Sequence, residues 1–341
     1  FTVGSDWVGT FDYLKVFCNV VYLDRTPDIS STQLRKNRFR IVKTGIIGTG
    51  RIAPRFVGEA KFVSGINIIC AYNPEKESAQ AFSRKCRIRC YTKDYETFLG
   101  KVDAVYIASP HETHYDYAKR ALEHGVHVLC EKPMTFTEAE TVELYQLARE
   151  KHCVLMEGIK AAYCPGFQQL VNVAKSGKIG EIRDVEACFS RIADTFAREM
   201  TDERYGGAFL EFGGYALLPV IKLLGTDFED IRIPAENGID LYTKIQFRYK
   251  NGLGLAKAGV GVKSEGQLVV AGTKGYILAQ SPWWLTRRFE IRYEDPSVIE
   301  RFEPNFQGDG LRYEISEFVS KINNPDLCHF KLTPEECTAM A

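Results

Sequence analysis

From residue 41 the chain alternates apolar runs with amphipathic stretches. "RIVKTGIIG" is an apolar run that ends in a glycine-rich turn, a helical stretch follows, and "INIICAYN" is a second apolar run, giving strand, helix, strand. The same alternation continues through the helix "EKESAQAFSRKC", the strand "VDAVYIASP", the helix "HYDYAKRALEHG", the strand "VHVLCE", the helix "TEAETVELYQLAREKH" and the strand "CVLME". Strands alternating with helices predict a parallel sheet, and such sheets bind ligands at the carboxyl ends of their strands. Past residue 158 the pattern changes. "EIRDVEACFSR", "DLYTKIQFRYKNG", "LGLAKAGVGV", "GQLVVAGTKGYILAQ" and "RFEIRYE" read as β segments joined by short turns such as Lys250-Asn251-Gly252, which predicts a mainly antiparallel sheet. One helix interrupts it, from Ala208 to Leu224, opened by Gly206-Gly207 and closed by Gly225. Pro219 within that helix deprives the Tyr215 carbonyl of its usual partner and predicts a kink. The fold class is α/β: a Rossmann domain over 41–158, then an α+β domain with a large antiparallel sheet over 159–341. Residues 1–40 stand apart.

Composition narrows the partners. The 341 residues are 45% hydrophobic and 26% charged, with 44 Lys plus Arg against 44 Asp plus Glu, so no net field draws the chain to nucleic acid or an anionic membrane. A small-molecule substrate is expected. No apolar stretch reaches the roughly 20 residues of a membrane span, and the start lacks a basic region followed by an apolar one, so the expected location is cytoplasmic. The ten cysteines are scattered, which predicts reduced, mostly buried thiols, and neither they nor the six histidines form a ligand cluster, so no metal is expected. The chain begins on Phe1 rather than Met and is read as a fragment of a longer polypeptide.

Two stretches carry candidate chemistry. In "GIIGTGRIA" the order Gly48-Thr49-Gly50-Arg51-Ile52-Ala53 fits the dinucleotide fingerprint with alanine in the third place: a tight turn, close backbone approach to a diphosphate, and close helix–strand packing. The acidic residue that usually follows about 20 positions on, to hold the adenosine ribose, is replaced by Asn73, followed by Pro74. Asparagine accepts and donates without repelling a 2′-phosphate, so the cofactor is NAD or NADP. Arg51, Lys76 and Arg84 are nearby sources of positive charge, the last two equally suited to a solvated helix face. The second stretch, "VHVLCEKPM", is an apolar strand that ends in Glu131, Lys132 and Pro133, a charged pair that is costly to bury unless each member has a partner.

Four ordered motifs, "GIIGTGRIA", "VDAVYIASPHETHYDYAKRALEHGVHVLCEKP", "VLMEGIKAAYCPGFQQL" and "GGAFLEFGGYALLPVIKLLG", resemble the glucose-fructose oxidoreductase, inositol dehydrogenase and rhizopine-catabolism oxidoreductase family over residues 41–341. The resemblance implies nicotinamide chemistry at the junction of the two domains. It makes Lys132 the catalytic lysine, placed at the substrate carbon that gains or loses hydride. A lysine takes a hydroxyl proton near neutral pH only when its pKa falls below about 10.4, which partial burial and a positive nicotinamide would both favour. It also implies that Glu131 contacts the nicotinamide-side ribose and that Pro133 fixes the turn, with a cis Lys132–Pro133 bond as one means. Ser109, Pro110 and His111 would line the cofactor pocket. His114 begins the next helix, where capping explains it as well as a cofactor role does. Glu157 matches the family's glutamate near the nicotinamide. Where the resemblance implies an arginine this chain has Ala162; Lys160 nearby is either its substitute toward substrate or a solvated lysine. Glu211 and Tyr215 share a helix face and match the family's Asp and its Tyr or His, so Tyr215 is expected to orient substrate or transfer a proton. The extra methylene of Glu211 shifts its carboxylate by more than an ångström, on the order of what matters in catalysis. Trp283 and Trp284 either wall a substrate pocket or fill a packed face or interface, the second being favoured because a broad sheet with one bare face predicts a homodimer or homotetramer.

The first forty residues resemble the carboxyl end of glycerol-3-phosphate cytidylyltransferase through Gly4-Ser5-Asp6-Trp7 and Arg25-Thr26-Pro27-Asp28-Ile29-Ser30-Ser31-Thr32, and the juxtaposition implies polyol-phosphate or sugar metabolism. The expected function is NAD(P)-dependent hydride transfer to or from a sugar, polyol or derivative. The rival reading is a cofactor-binding accessory or regulatory module, since Asn73, Ala162 and Glu211 depart from common family choices. Glycoside cleavage through transient hydride transfer is a third possibility.

Overall fold

The computed structural model describes residues 2–4, 8–16, 18–23, 40–233, 238–324 and 330–341. Contacts divide the chain into Phe1–Arg40 and Ile41–Ala341. In the first unit β1 (Thr2–Gly4) pairs in parallel with β2 (Val21–Leu23). Of the residues that carry the cytidylyltransferase resemblance, all but Gly4 lie outside the described residues.

In the second unit β3 (Val42–Ile47), β4 (Ile66–Tyr72), β5 (Cys90–Thr92), β6 (Ala104–Ile107), β7 (His127–Glu131) and β8 (Leu155–Gly158) form a parallel sheet in the order β5-β4-β3-β6-β7-β8. The helices between them are α1 (Ala53–Ala60), α2 (Lys76–Cys86), α3 (Tyr95–Leu99), α4 (His114–Glu123) and α5 (Glu138–Glu150). Burial on both faces explains the apolar runs, as in β6, where all four residues are buried. The helices show the other period: α4 buries His114, Ala118, Ala121 and Leu122 on one stripe. Thr137 caps α5 by accepting from the Glu140 N–H. The order reverses between β3 and β6, which opens a crevice at the carboxyl ends of those two strands.

The chain then runs through α6 (Lys160–Tyr163) and α7 (Pro165–Lys175) into β9 (Ile182–Ser190). After the short α8 (Arg198–Thr201) comes α9 (Ala208–Leu224), with the bounds predicted, running through Pro219 and ending at Gly225. The strands β10 (Asp230–Arg232), β11 (Tyr242–Tyr249), β12 (Gly252–Gly259), β13 (Leu268–Gly272), β14 (Gly275–Ala279), β15 (Phe289–Tyr293) and β16 (Ile299–Phe302) complete an eight-stranded sheet in the order β10-β11-β12-β9-β13-β14-β15-β16. Every pairing is antiparallel except β9 with β12, and α9 lies across those two central strands.

Two further helices, α10 (Leu311–Asn323) and α11 (Pro334–Met340), were not foreseen from the pattern. They return to the first sheet's helices, α10 against α1 and α6, α11 against α5. The α10 contact is fixed by Arg312, whose Nη2 and Nε meet the Glu59 carboxylate at 2.7 and 2.9 Å and hold its pKa below the ordinary value. One expectation is corrected. Cys70 and Cys90 face each other in register on β4 and β5, with Cα atoms 4.4 Å apart, and are joined in a disulfide rather than left as reduced thiols. Their separation of 20 in sequence gave no sign of this, because only strand pairing brings them together. Among the described residues no helix is long and apolar enough to cross a membrane.

Candidate active site

A cavity of about 1480 Å³ begins at the β3–β6 crevice and extends to α9 and the end of β9. That exceeds the roughly 300–1,000 Å³ of ordinary small-ligand pockets, enough for a dinucleotide together with a substrate.

The fingerprint loop forms one wall. Gly48 has φ +89°, and a Cβ there would lie 2.5 Å from the Ala108 carbonyl oxygen at the end of β6. The loop is therefore threaded between neighbouring strands, with the Gly48 N–H on the Tyr72 carbonyl at 3.1 Å. Gly50 differs: a Cβ there would meet no atom within 4 Å, so its missing side chain leaves open space in the cavity wall. Thr49, Arg51 and Ile52 line the same wall, and Ala53 is fully buried where α1 starts. Asn73 donates from Nδ2 to Thr49 Oγ1 at 2.9 Å and accepts the Glu75 N–H at 2.9 Å. Glu75, which the sequence did not single out, also borders the cavity there. The open Gly50 face, the donors of the loop and the bifunctional Asn73 fit a nicotinamide dinucleotide.

The opposite wall carries the charged pair. Lys132 Nζ donates to the main-chain carbonyl of Glu211 at 2.7 Å and lies 3.8 Å from that residue's carboxylate. The Lys132–Pro133 bond is cis. Glu131, at the end of β7, accepts from the Tyr106 hydroxyl at 2.5 Å, and burial above all raises its pKa. The Glu211 carboxylate is also 3.8 Å from Arg51 Nη2 and from His111 Nε2, so one carboxylate faces three basic groups from three elements. Burial first, then the charge of Lys132, pushes His111 down to about 2 and leaves it a neutral imidazole at working pH. Tyr215, one turn past Glu211, is buried beside Phe189 at 4.8 Å between ring centres, and burial drives its phenol well above the ordinary value.

The remaining sequence-predicted residues divide. Ser109, Pro110 and His111 line the cavity. His114 does so only from behind: fully buried, it meets the Pro133 carbonyl through Nδ1 at 2.7 Å and the Ser109 carbonyl through Nε2 at 3.0 Å, bracing the two loops against each other. Lys160 borders the cavity and donates to the Asp309 carbonyl at 2.8 Å, while Ala162 is packed in the core. Glu157 is not brought to the cavity wall. Its carboxylate turns to the Met134 N–H at 3.0 Å, where burial raises its pKa, and the neighbouring Gly158 borders the cavity instead. The two tryptophans divide between packing and pocket wall. Trp283 is fully buried with Nε1 on the Cys188 carbonyl at 2.8 Å, whereas Trp284 walls the cavity against Phe189, 3.9 Å between ring centres. Sequence reading missed Phe189, Arg191, Arg198, Tyr205, Lys263 and Asp309 at the cavity. No motif marks them, and they come from the end of β9, the segments around α8, the loop after β12 and the turn before α10, which meet only in the folded chain.

A parallel sheet with a dinucleotide loop at its switch point and a lysine at the end of its strand β7, facing a tyrosine on the helix of a second sheet domain, defines a nicotinamide-dependent oxidoreductase. Residues 42–159 match the model of the oxidoreductase family with an NAD-binding Rossmann fold. The chain is 30% identical to dTDP-3,4-didehydro-2,6-dideoxy-alpha-D-glucose 3-reductase of Saccharopolyspora spinosa over 82% of its own length and 87% of the relative's. It is 27% identical to the scyllo-inositol 2-dehydrogenase (NADP(+)) IolU of Bacillus subtilis, over 84% and 90%. A similar solved structure is KijD10, a 3-ketoreductase from Actinomadura kijaniata in complex with NADP and TDP-benzene, with TM-score 0.75, 22% identity and coverage of 88% and 94%. The chain belongs to the glucose-fructose oxidoreductase, inositol dehydrogenase and rhizopine-catabolism family of NAD(P)-dependent oxidoreductases, which includes these sugar and inositol enzymes.

Proposed function

We propose that this protein moves hydride between nicotinamide and a CH–OH carbon of a sugar, polyol or derivative, with Lys132 Nζ as proton donor and acceptor at the substrate oxygen. The observation that carries this reading is the seating of the Lys132 ammonium, held by a main-chain carbonyl of α9 in the cavity that also contains the fingerprint loop. The nicotinamide, when bound, supplies or accepts the hydride. Gly48 to Ile52 would hold its diphosphate, Asn73 the adenosine ribose, Glu131 the nicotinamide-side ribose, and Ser109, Pro110 and His111 the ring's surroundings.

An ammonium has three N–H donors, and the Glu211 carbonyl takes one, so two remain for a substrate oxygen. In reduction Lys132 gives a proton to the carbonyl oxygen; in oxidation its neutral amine removes one from the hydroxyl. Tyr215 stays protonated across the working range, because burial disfavours the phenolate, and acts by donating its hydroxyl to the same oxygen. The Glu211 carboxylate balances the charge of Lys132 and Arg51 and keeps both side chains extended into the cavity. Lys160, at the cavity's border, serves as a further substrate contact.

Fluorescence titration with NADH and NADPH tests cofactor binding, and an initial-rate panel of sugars, polyols and their derivatives tests turnover. Lys132→Met is expected to keep cofactor binding and lose turnover by about 10²–10⁴-fold, the usual worth of positioned acid–base catalysis. Turnover retained in Lys132→Met would remove the lysine from the mechanism, and absence of binding by both cofactors at high micromolar concentration would end the oxidoreductase reading.

A further inference from the structure

Beyond Tyr215 the cavity runs to the end of β9, where its floor is aromatic. Phe189 packs its ring on Phe212, Tyr215 and Trp284 at 4.4, 4.8 and 3.9 Å between centres. Side chains two apart along an extended segment share a face, so Arg191 continues the line of Phe189 outward. The segment stays in register past the strand, with the Arg191 N–H on the Gly259 carbonyl at 3.0 Å and the Ala193 N–H on the Val260 carbonyl at 2.9 Å. Lys263 comes alongside from the loop after β12, its Nζ on the Ser190 carbonyl at 2.9 Å. Both cations are exposed and both border the cavity.

Their surroundings lack a counter-charge. Among the described residues the Arg191 guanidinium has no acceptor, and Lys263 has only that main-chain oxygen. The carboxylates that border the cavity are committed elsewhere: Glu131 to Tyr106, Glu199 and Glu211 to Arg51, Asp309 to Arg55, while Glu75 lies with Asn73 on the fingerprint side. Glu265, two residues past Lys263, is taken by Lys257 and by Ser264. Two like charges on one cavity wall, carried by the segment after β9 and by the loop that bonds to Ser190, have no carboxylate between them, an arrangement that a doubly charged ligand suits. A guanidinium fork and a mobile ammonium are the donors that suit the several acceptor oxygens of a phosphate.

We infer that Arg191 and Lys263 form a phosphate subsite, so that the substrate is phosphorylated and its reacting carbon is set at Lys132 by the anchoring of its phosphate at the cavity's outer end. The inference rests on the oxidoreductase reading and narrows its substrate class. The phosphate is either a monoester on a sugar or polyol or part of a nucleoside diphosphate sugar, and the two sources share this anchoring chemistry.

The test compares kcat/KM of the full chain for matched sets: a neutral sugar or polyol, its phosphate monoester, and the corresponding nucleoside diphosphate sugar. Each is assayed in the wild type, Arg191→Ala, Lys263→Ala and Arg191→Lys. The phosphorylated member is expected to be preferred by at least about 30-fold. Loss of a charge-assisted hydrogen bond is expected to cut that preference by about 10- to 100-fold in either alanine variant, through KM rather than kcat. Arg191→Lys should restore part of it. The member with the higher kcat/KM identifies the source. Equal use of neutral and phosphorylated members by the wild type, or an undiminished preference in both alanine variants, overturns the inference. Calorimetry with inorganic pyrophosphate and dTDP, done with saturating NADH present and absent, separates it from the broader reading. If neither NADH nor NADPH binds, the oxidoreductase reading fails, and the subsite is then decided by whether pyrophosphate binding is lost in Arg191→Ala and Lys263→Ala or persists unchanged.

Discussion

Two glycines two residues apart provide a test that separates a ligand's requirement from the fold's. At Gly50 an added Cβ meets no atom within 4 Å and the backbone is not in the left-handed region, so Gly50→Ala is expected to leave stability within about 0.5 kcal/mol of wild type. A small gain is allowed for, since alanine restricts the unfolded chain. The same methyl group occupies the space through which a diphosphate reaches the loop N–H groups. Displacing it by about 1.5 Å loses one charge-assisted hydrogen bond of roughly 1.5–3 kcal/mol, or about a 10- to 100-fold rise in Kd for NADH or NADPH. At Gly48 the order reverses. With φ +89° an alanine costs roughly 1–2 kcal/mol, and its Cβ would also lie 2.5 Å from the Ala108 carbonyl oxygen, a backbone atom that cannot swing aside. A total of about 2–4 kcal/mol is expected, which for a folded unit of about 300 residues, at roughly 2.1 cal/mol/K of unfolding entropy per residue, lowers Tm by roughly 3–6 °C. Thermal melts of the free proteins together with fluorescence titrations read both quantities. A Gly50→Ala protein that melts as early as Gly48→Ala, or that binds both cofactors as wild type does, would refute the reasoning.

Glu314, on α10, is fully buried with neither carboxylate oxygen hydrogen-bonded, and burial followed by the charge of Glu131 raises its pKa well above the usual value. A raised carboxyl pKa gives stability that is present below about 4.5 and lost as pH rises, so Glu314→Gln should gain in Tm over wild type increasingly from pH 5 to pH 8. A gap that stays constant with pH would be the contrary result. His111 shifts the other way, down to about 2, so the folded state binds no proton where the unfolded state does. Its contribution is present above about 6.5 and lost below it, and His111→Gln should shrink the fall in urea midpoint between pH 7.5 and pH 5, which an unchanged fall would contradict. Asn73→Asp places a carboxylate where the adenosine ribose is expected, and should weaken NADPH relative to NADH by about 10-fold in the same fluorescence titration; an unaltered ratio would separate Asn73 from cofactor choice.

How much of this could be read from the sequence follows the physics of each element. The parallel sheet and α9 were legible because burial on both faces leaves continuous apolar runs, and because Gly207 and Gly225 bracket an apolar stretch. The fingerprint and the Glu-Lys-Pro turn were legible because single residues there meet demands that few others satisfy. What failed to show is what depends on pairing between distant segments. Cys70 and Cys90 meet only through strand register, α10 is placed by Arg312 on a glutamate 253 residues earlier, and Trp284 looks like core until β9 sets Phe189 beside it. At Glu157 the strand end alone does not tell which way the side chain turns. The residue stands at the end of a strand beside the site, but the neighbouring Met134 N–H takes its carboxylate away from the cavity.

The link between Lys132 and Glu211 bears on whether a glutamate can stand where the family resemblance implies an aspartate. The short contact is to the main-chain carbonyl, so the lysine is positioned by the helix itself and not by the side chain's length. The carboxylate, 3.8 Å from each of Lys132, Arg51 and His111, is at bridging distance rather than bidentate with any one of them. An added methylene moves such a group outward from α9, toward Arg51 on the fingerprint loop. The loop arginine is thereby bound to the second domain's helix, and also to Glu199 beyond it at 3.2 Å. The glutamate therefore leaves Lys132 seated on the main chain of α9, and what its side chain sets is how the fingerprint loop is tied to the helix that carries Tyr215.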